Sequence, residues 1–237
     1  MATIHFNYNM KTFNQNFLVP VLLFLSISML GSCLTPKKMD KYVAEQYNNK
    51  IPRQNKQKKA DISISSTLVS KTNDISITTR KRSNFLPLIV YWQADYRHIC
   101  TLNSAIAVNN FSNAVNTMTN KTFSDKLAGQ RLELTVEEIP TAFALVDKER
   151  VIWLIYAISW QKIYMEPDFK NLVVSYKLLQ NETTVKTGKI SIKGEAHNKG
   201  LRFFQSWKSA TSEHLVDYNT NITAMSKAFM NKLLEEL

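Results

Sequence analysis

The sequence predicts an α+β fold: a mostly antiparallel sheet with two helices packed on one face, preceded by a flexible N-terminal tether. Three observations carry this. Apolar residues alternate at period two through Arg131–Glu137 and Leu172–Leu179, as in half-buried strands. The period changes to i, i+3, i+4 within Asn103–Asn120 and Asn221–Leu237, as on amphipathic helices. Ahead of both, residues 34–60 are rich in Lys, Asn and Gln and poor in apolar side chains. The 237 residues suit one compact domain with an appendage. The expected division is a leader at 1–32, a tether at 33–60 and a single α+β domain at 61–237.

The leader reads as an export signal. Phe17–Leu30 (FLVPVLLFLSISML) is apolar apart from Pro20, Ser26 and Ser28. A membrane-spanning helix needs roughly 20 apolar residues, so the run fits the hydrophobic region of a secretory signal better than a span. Lys11 precedes it with no acidic residue, and Met10-Lys11 would make a more usual start than Met1. The run ends in Leu30-Gly31-Ser32-Cys33. That ending resembles the lipobox of bacterial lipoproteins, in which small residues admit the peptidase and the following thiol receives the lipid. The resemblance implies cleavage between Ser32 and Cys33, with acylated Cys33 as the membrane attachment. One acyl chain holds a protein only marginally, whereas two or more anchor it stably.

Behind Cys33, Pro36 can open a short helix to about Asn48, with Met39, Val43 and Tyr47 along one side. From Asn49 to Lys59 there is one apolar residue. A flexible coil of this kind would hold the body roughly 40 Å from its anchor, at about 5–6 Å × √n. Asp61–Val69 alternates Ile62 and Ile64 and reads as a strand; Phe85–Cys100 reads as a longer one, with Pro87 at its start. The helix of Asn103–Asn120 places Ala107, Val108, Phe111, Ala114, Val115 and Met118 on one side, and its asparagines require packing to stabilise it. Glu149–Met165 is apolar on both faces and reads as one central strand. Leu172–Leu179 turns through Gln180–Thr184 into Val185–Lys193, a hairpin. The final helix, capped at Thr220 or Asn221, buries Ile222, Met225, Phe229 and Leu233.

Net charge is +11, but residues 37–82 hold 12 Lys+Arg against 4 Asp+Glu, while residues 83–237 hold 17 against 15. The excess belongs to the tether, beside the expected anchor, where it suits anionic lipid headgroups. It lacks the interleaved aromatics of a nucleic-acid surface, and no nucleic-acid partner is expected. None of the glycine-rich phosphate loops, the Gly-x-Ser-x-Gly elbow, His-Glu-x-x-His or Cys-x-x-Cys is present. Cys100, at the end of an apolar strand, reads as a buried, inert thiol. Glu137-Glu138 reads as a solvated strand end, and Glu213, His214 and Asp217 as part of a polar surface loop. Asp95 with His98 makes no convincing site. No cofactor, metal or catalytic residue is assigned, and Cys33 is the one site residue with a stated chemistry. Aromatics from Tyr91 to Trp207 include several that could line an apolar groove for a lipid tail or a partner helix.

With the lipobox, the stretches LPLIVYW, the helix around Phe111, LVVSYKLL followed by VKTGKISIKG, and AMSKAFMNKLLEEL resemble auxiliary lipoproteins of envelope ABC transport systems, which help move lipopolysaccharide or phospholipid. The Lys/Asn composition is similar to that of Bacteroidetes proteins. The resemblance implies a non-enzymatic accessory or interaction module with an envelope protein partner. Leu34 stands where enterobacterial inner-membrane retention uses aspartate, and no acidic export cluster follows. By that analogy the anchor lies in the outer membrane and faces the periplasm. The competing readings are a membrane-anchored secreted hydrolase and a surface lipoprotein that binds an external ligand.

Overall fold

The computed structural model describes residues 34–54, 60–69, 77–81, 90–153 and 157–237. The chain divides into two units, 1–34 and 35–237, and the second is the folded body. Its helices are α1 (Pro36–Gln46), α2 (Ser104–Met118), α3 (Lys121–Leu127) and α4 (Trp207–Glu236). One sheet runs β1 (Ile62–Ser66), β4 (Arg131–Glu138), β7 (Leu172–Gln180), β8 (Thr183–Ile192); only β1–β4 is parallel. The second sheet is antiparallel throughout: β2 (Ile77–Lys81), β3 (Val90–Thr101), β5 (Ala142–Trp153), β6 (Ala157–Pro167), β9 (Lys199–Gly200). The α+β class is therefore as expected, with two sheets in place of one and four helices among the described residues in place of two.

A single long hairpin runs through both sheets. Phe143 pairs with Pro167, and Arg131, twelve residues back, pairs with Leu179, twelve residues on. Register is thus carried from β5–β6 into β4–β7 across a joint. The joint falls where Pro140 and Pro167 supply no N–H to a ladder. Asp168 replaces the missing bonds, accepting from the backbone N–H of Thr141 at 3.0 Å and of Lys170 at 3.2 Å. The central strand expected over Glu149–Met165 is instead the end of β5 and most of β6. No glycine or proline marks that bend, and an apolar run cannot reveal one by periodicity. Residues 154–156 lie outside the described set.

The helices pack as their apolar stripes dictate. Phe111 of α2 meets Phe229 of α4 edge-on, with ring centroids 5.5 Å apart, and α4 lies along β8. Leu132, Leu134, Val136, Leu172, Val174 and Tyr176 are buried on the sheet side. The hairpin β7–β8 turns through Asn181 and Glu182, both at positive φ (51° and 63°), as a two-residue primed turn requires. Gly188 lies opposite Tyr176, and a Cβ there would stand 2.5 Å from the tyrosine ring. Gly188→Ala is expected to displace that ring and lower stability by about 1–3 kcal/mol, the usual range for overpacking. Urea unfolding checks this, and an unchanged midpoint would contradict it.

Two expectations are corrected. The segment read as a flexible tether is packed against the body over most of its length. Met39 and Val43 of α1 are buried, and Asn109 and Asn113 of α2 donate to the carbonyls of Pro52 (2.7 Å) and Arg53 (3.1 Å). Gln54 adds a bond of 2.6 Å to Ser112. The asparagines that weaken α2 as a helix are thus the groups that hold this segment down. Residues 55–59 lie outside the described set. The last helix also starts earlier than expected, at Trp207 with Ser206 as its cap, because Ala210, Leu215 and Tyr218 continue its buried face.

Candidate functional site

Helix α4 and the segment that follows β8 enclose a cleft of about 570 Å³. Gly194 brings the end of β8 close to the helix: a Cβ there would lie 3.1 Å from the Asn221 amide nitrogen and 3.2 Å from the Met225 sulfur. Residues 195–198 then leave the helix, and β9 returns the chain to the edge of β6. Pro140, Pro167 and Asp168 of the joint close one end. Ile192, Ala196, Ala224, Met225 and Ala228 supply apolar walls, and Lys193, Glu195, His197, Lys199 and Asp217 the polar ones.

His214 lies at the inner end. Only 6% of its surface is exposed, and its ring lies 4.8 Å from that of Phe143. Its Nε2 has no hydrogen-bond partner among the described residues. Burial pushes its pKa down to about 4; Asp217 opposes the shift and Lys199 adds to it. The imidazole is therefore neutral at pH 7. Beside it Tyr218 donates to the Pro140 carbonyl at 2.8 Å, tying α4 to the joint, and burial raises its pKa.

At the rim Lys199 binds Asp217 at 2.8 Å and reaches Glu213 at 3.6 Å, while Arg202 binds Glu213 at 2.6 Å. The hydrogen bond to Asp217 is the main cause that raises the Lys199 pKa. These charges are engaged with one another. Thr220, the one hydroxyl side chain of the lining besides Tyr218, donates to its own helix at the Val216 carbonyl. Such a cleft is suited to holding a molecule with an apolar body and a polar end.

Glu213, His214 and Asp217, read from sequence as a surface loop, therefore stand on a helix, with His214 in the interior. A signal for this existed: stepping back by four from Ile222 through Tyr218 reaches His214 on the buried stripe. Cys33 and Ser32 lie outside the described residues. Cys100 is buried as expected, its thiol 3.5 Å from the Asp40 carboxylate of α1. Glu137 lies at the surface at its strand end, as expected; it accepts from Ser175 and pairs with Lys189 at 2.5 Å, and those bonds, Lys189 first, lower its pKa. Glu138 is exposed.

His98, weighed from sequence with Asp95, belongs instead to a second polar cluster with Asp147 on the face of β3, β5 and β6. There Gln161 donates to both oxygens of Asp147 (3.0 and 2.8 Å), and burial raises the Asp147 pKa. Burial also lowers the pKa of neighbouring His98, against the pull of Asp147. Among the described residues no group of three or more His, Cys, Asp or Glu side chains is arranged to hold a metal, and no helix is long and apolar enough to cross a membrane. No protein-family model matches the chain, and no curated protein and no solved structure matches it either.

Proposed function

We propose that the chain is a lipid-anchored protein of a bacterial cell envelope, acting as a non-enzymatic accessory or interaction module in envelope lipid transport or assembly. One observation carries this reading: the apolar run Phe17–Leu30 ends in Leu30-Gly31-Ser32-Cys33. Lipid on Cys33 attaches the body to the outer membrane on its periplasmic side, Leu34 standing where an aspartate would retain it at the inner membrane. The cleft beside α4 supports a binding role, because its walls are mainly apolar and its rim charges are already paired.

The packed segment changes the geometry of such an anchor. Two residues separate Cys33 from Pro36 of α1, so three steps give a reach of at most about 10 Å at ~3.5 Å each. The body thus lies against the bilayer and does not stand off from it.

Cys33→Ala is expected to abolish incorporation of labelled palmitate and to leave the leader uncleaved, while the wild-type mature chain begins at Cys33 by intact mass. A wild-type chain without label would overturn the anchor. Crosslinking in cells then addresses the role: recovery of transport or assembly components supports the accessory reading. Turnover of an ester or amide substrate, lost on filling the cleft by Ala224→Trp, would favour the hydrolase.

A further inference from the structure

Two phenylalanines stand almost fully in solvent on a turn that is firmly built. Phe203 is 88% and Phe204 94% exposed, with ring centroids 4.2 Å apart. The Gln205 N–H donates to the Arg202 carbonyl at 2.9 Å, closing a four-residue turn around them. Phe204 has φ 65°, at the position where a type II turn ordinarily takes glycine. A bulky residue holds that backbone only where its surroundings impose it. They do so here: the Gln205 side chain accepts from the Arg202 N–H (3.0 Å) and donates to Glu213 (2.9 Å), the carboxylate that also holds the Arg202 guanidinium. Upstream, the Leu201 N–H is fixed on the Ile163 carbonyl at 3.0 Å.

The turn directly precedes the first turn of α4, against which α1 packs. Tyr42 of α1 packs edge-on against Trp207 at the start of α4, with centroids 5.5 Å apart, and Gln46, one turn further on, bonds Ser212 at 3.3 Å. Followed the other way, α1 runs toward Thr35 and past the first turn of α4, which the Phe203–Phe204 turn immediately precedes. Basic side chains outnumber acidic ones here. Residues 35–42 carry Lys37, Lys38 and Lys41 against Asp40, and residues 199–217 carry Lys199, Arg202 and Lys208 against Glu213 and Asp217, which pair with Lys199 and Arg202. The Lys208 ammonium sits 5.8 Å from the rings of both Tyr42 and Trp207.

We infer that the Arg202–Gln205 turn is a membrane-docking element that sets Phe203 and Phe204 into the interface of an anionic bilayer. This rests on the lipid-anchor reading, which brings that bilayer within reach of α1. Aromatic rings bury their apolar faces at the headgroup boundary, and the surrounding lysines match anionic headgroups. Lipid on Cys33 and the aromatic turn are then two contacts that together fix how the body lies on the membrane.

The test uses the acylated full-length product reconstituted in vesicles of phosphatidylcholine and phosphatidylglycerol, 3:1, and in phosphatidylcholine alone. Amide exchange at Phe203 and Phe204 is expected to slow about tenfold on the anionic vesicles, since burying two rings shifts an equilibrium by at least that factor. Phe203→Ser with Phe204→Gly is expected to return exchange at residues 203–205 to within about twofold of its intrinsic rate. The glycine suits the positive φ, so this variant keeps its turn. Equal, fast exchange of the wild type on both vesicles would overturn the proposal. So would protection that arises only on adding envelope proteins. The mass of Cys33 on the same sample separates the two readings: an acylated chain with an unprotected turn defeats docking alone, and an unacylated chain defeats the anchor.

Discussion

Lowering the pH from 7 to 4.5 is expected to destabilise the folded body by about 2.4 kcal/mol through His214 alone. Burial holds this imidazole at a pKa of about 4, whereas in the unfolded chain it titrates near the ordinary value of 6.5. Between those values the unfolded chain binds a proton that the folded chain does not, so stability falls as pH falls. The effect is absent above about pH 7, and each pH unit below 6.5 removes ~1.4 kcal/mol until the folded pKa is reached. Asp217 and Lys199 face the ring from the rim with opposite effects, and Phe143 covers its inner side. His214→Leu should keep most of the packing and flatten this part of the profile. Urea unfolding of both proteins at pH 7 and pH 4.5 measures it. Parallel losses in the two would mean that the imidazole is hydrated in the folded state.

Met39→Ala is expected to lower stability by about 3 kcal/mol, within the range for truncating a buried methionine. Met39 is fully buried, whereas Ile51 downstream is 40% exposed and should tolerate alanine with little change. The comparison separates a docked α1 from a tether, in which both substitutions would be silent. Removing residues 35–54 should have a larger effect still, because it uncovers Cys100 and leaves Asn109, Asn113 and Ser112 of α2 without the partners they now bind. Equal midpoints for Met39→Ala and wild type in urea would show that α1 does not contribute to the fold.

Much of the architecture was legible because it rests on one-sided burial. Leu132, Leu134 and Val136 alternate as they must on a half-covered strand, and Ala107, Phe111, Ala114 and Val115 keep to one side of α2. The misreadings have specific physical sources. Residues 35–54 look like a solvated linker because few apolar side chains, Met39 and Val43 foremost, fasten the segment, and its other ties are polar bonds such as those to the Pro52 and Arg53 carbonyls, which composition does not reveal. The bend between β5 and β6 lacks any turn-forming residue. Residues 207–220 look like a loop because serine and threonine are weak helix formers, yet Thr211 and Thr220 donate to carbonyls four residues back, within the helix. The cleft could not be anticipated, since the joint at Pro140 and Pro167 and the helix at His214 are far apart in sequence. The aromatic turn was visible only as a Phe-Phe pair, with nothing to say that both rings point outward.

The docking of α1 against α4 carries a consequence for the order of assembly. Gln46 and its partner Ser212 are separated by 166 positions, and β1, the next element in the chain, pairs with β4 some 70 positions away. Contacts of such high contact order form late, after the hairpins β5–β6 and β7–β8, whose partners are near neighbours. A chain made N-terminus first therefore presents α1 long before the surface that receives α1 exists. During that interval α1 stands alone, with its Met39 and Val43 stripe uncovered. Once α4 arrives, the same segment is drawn onto the body.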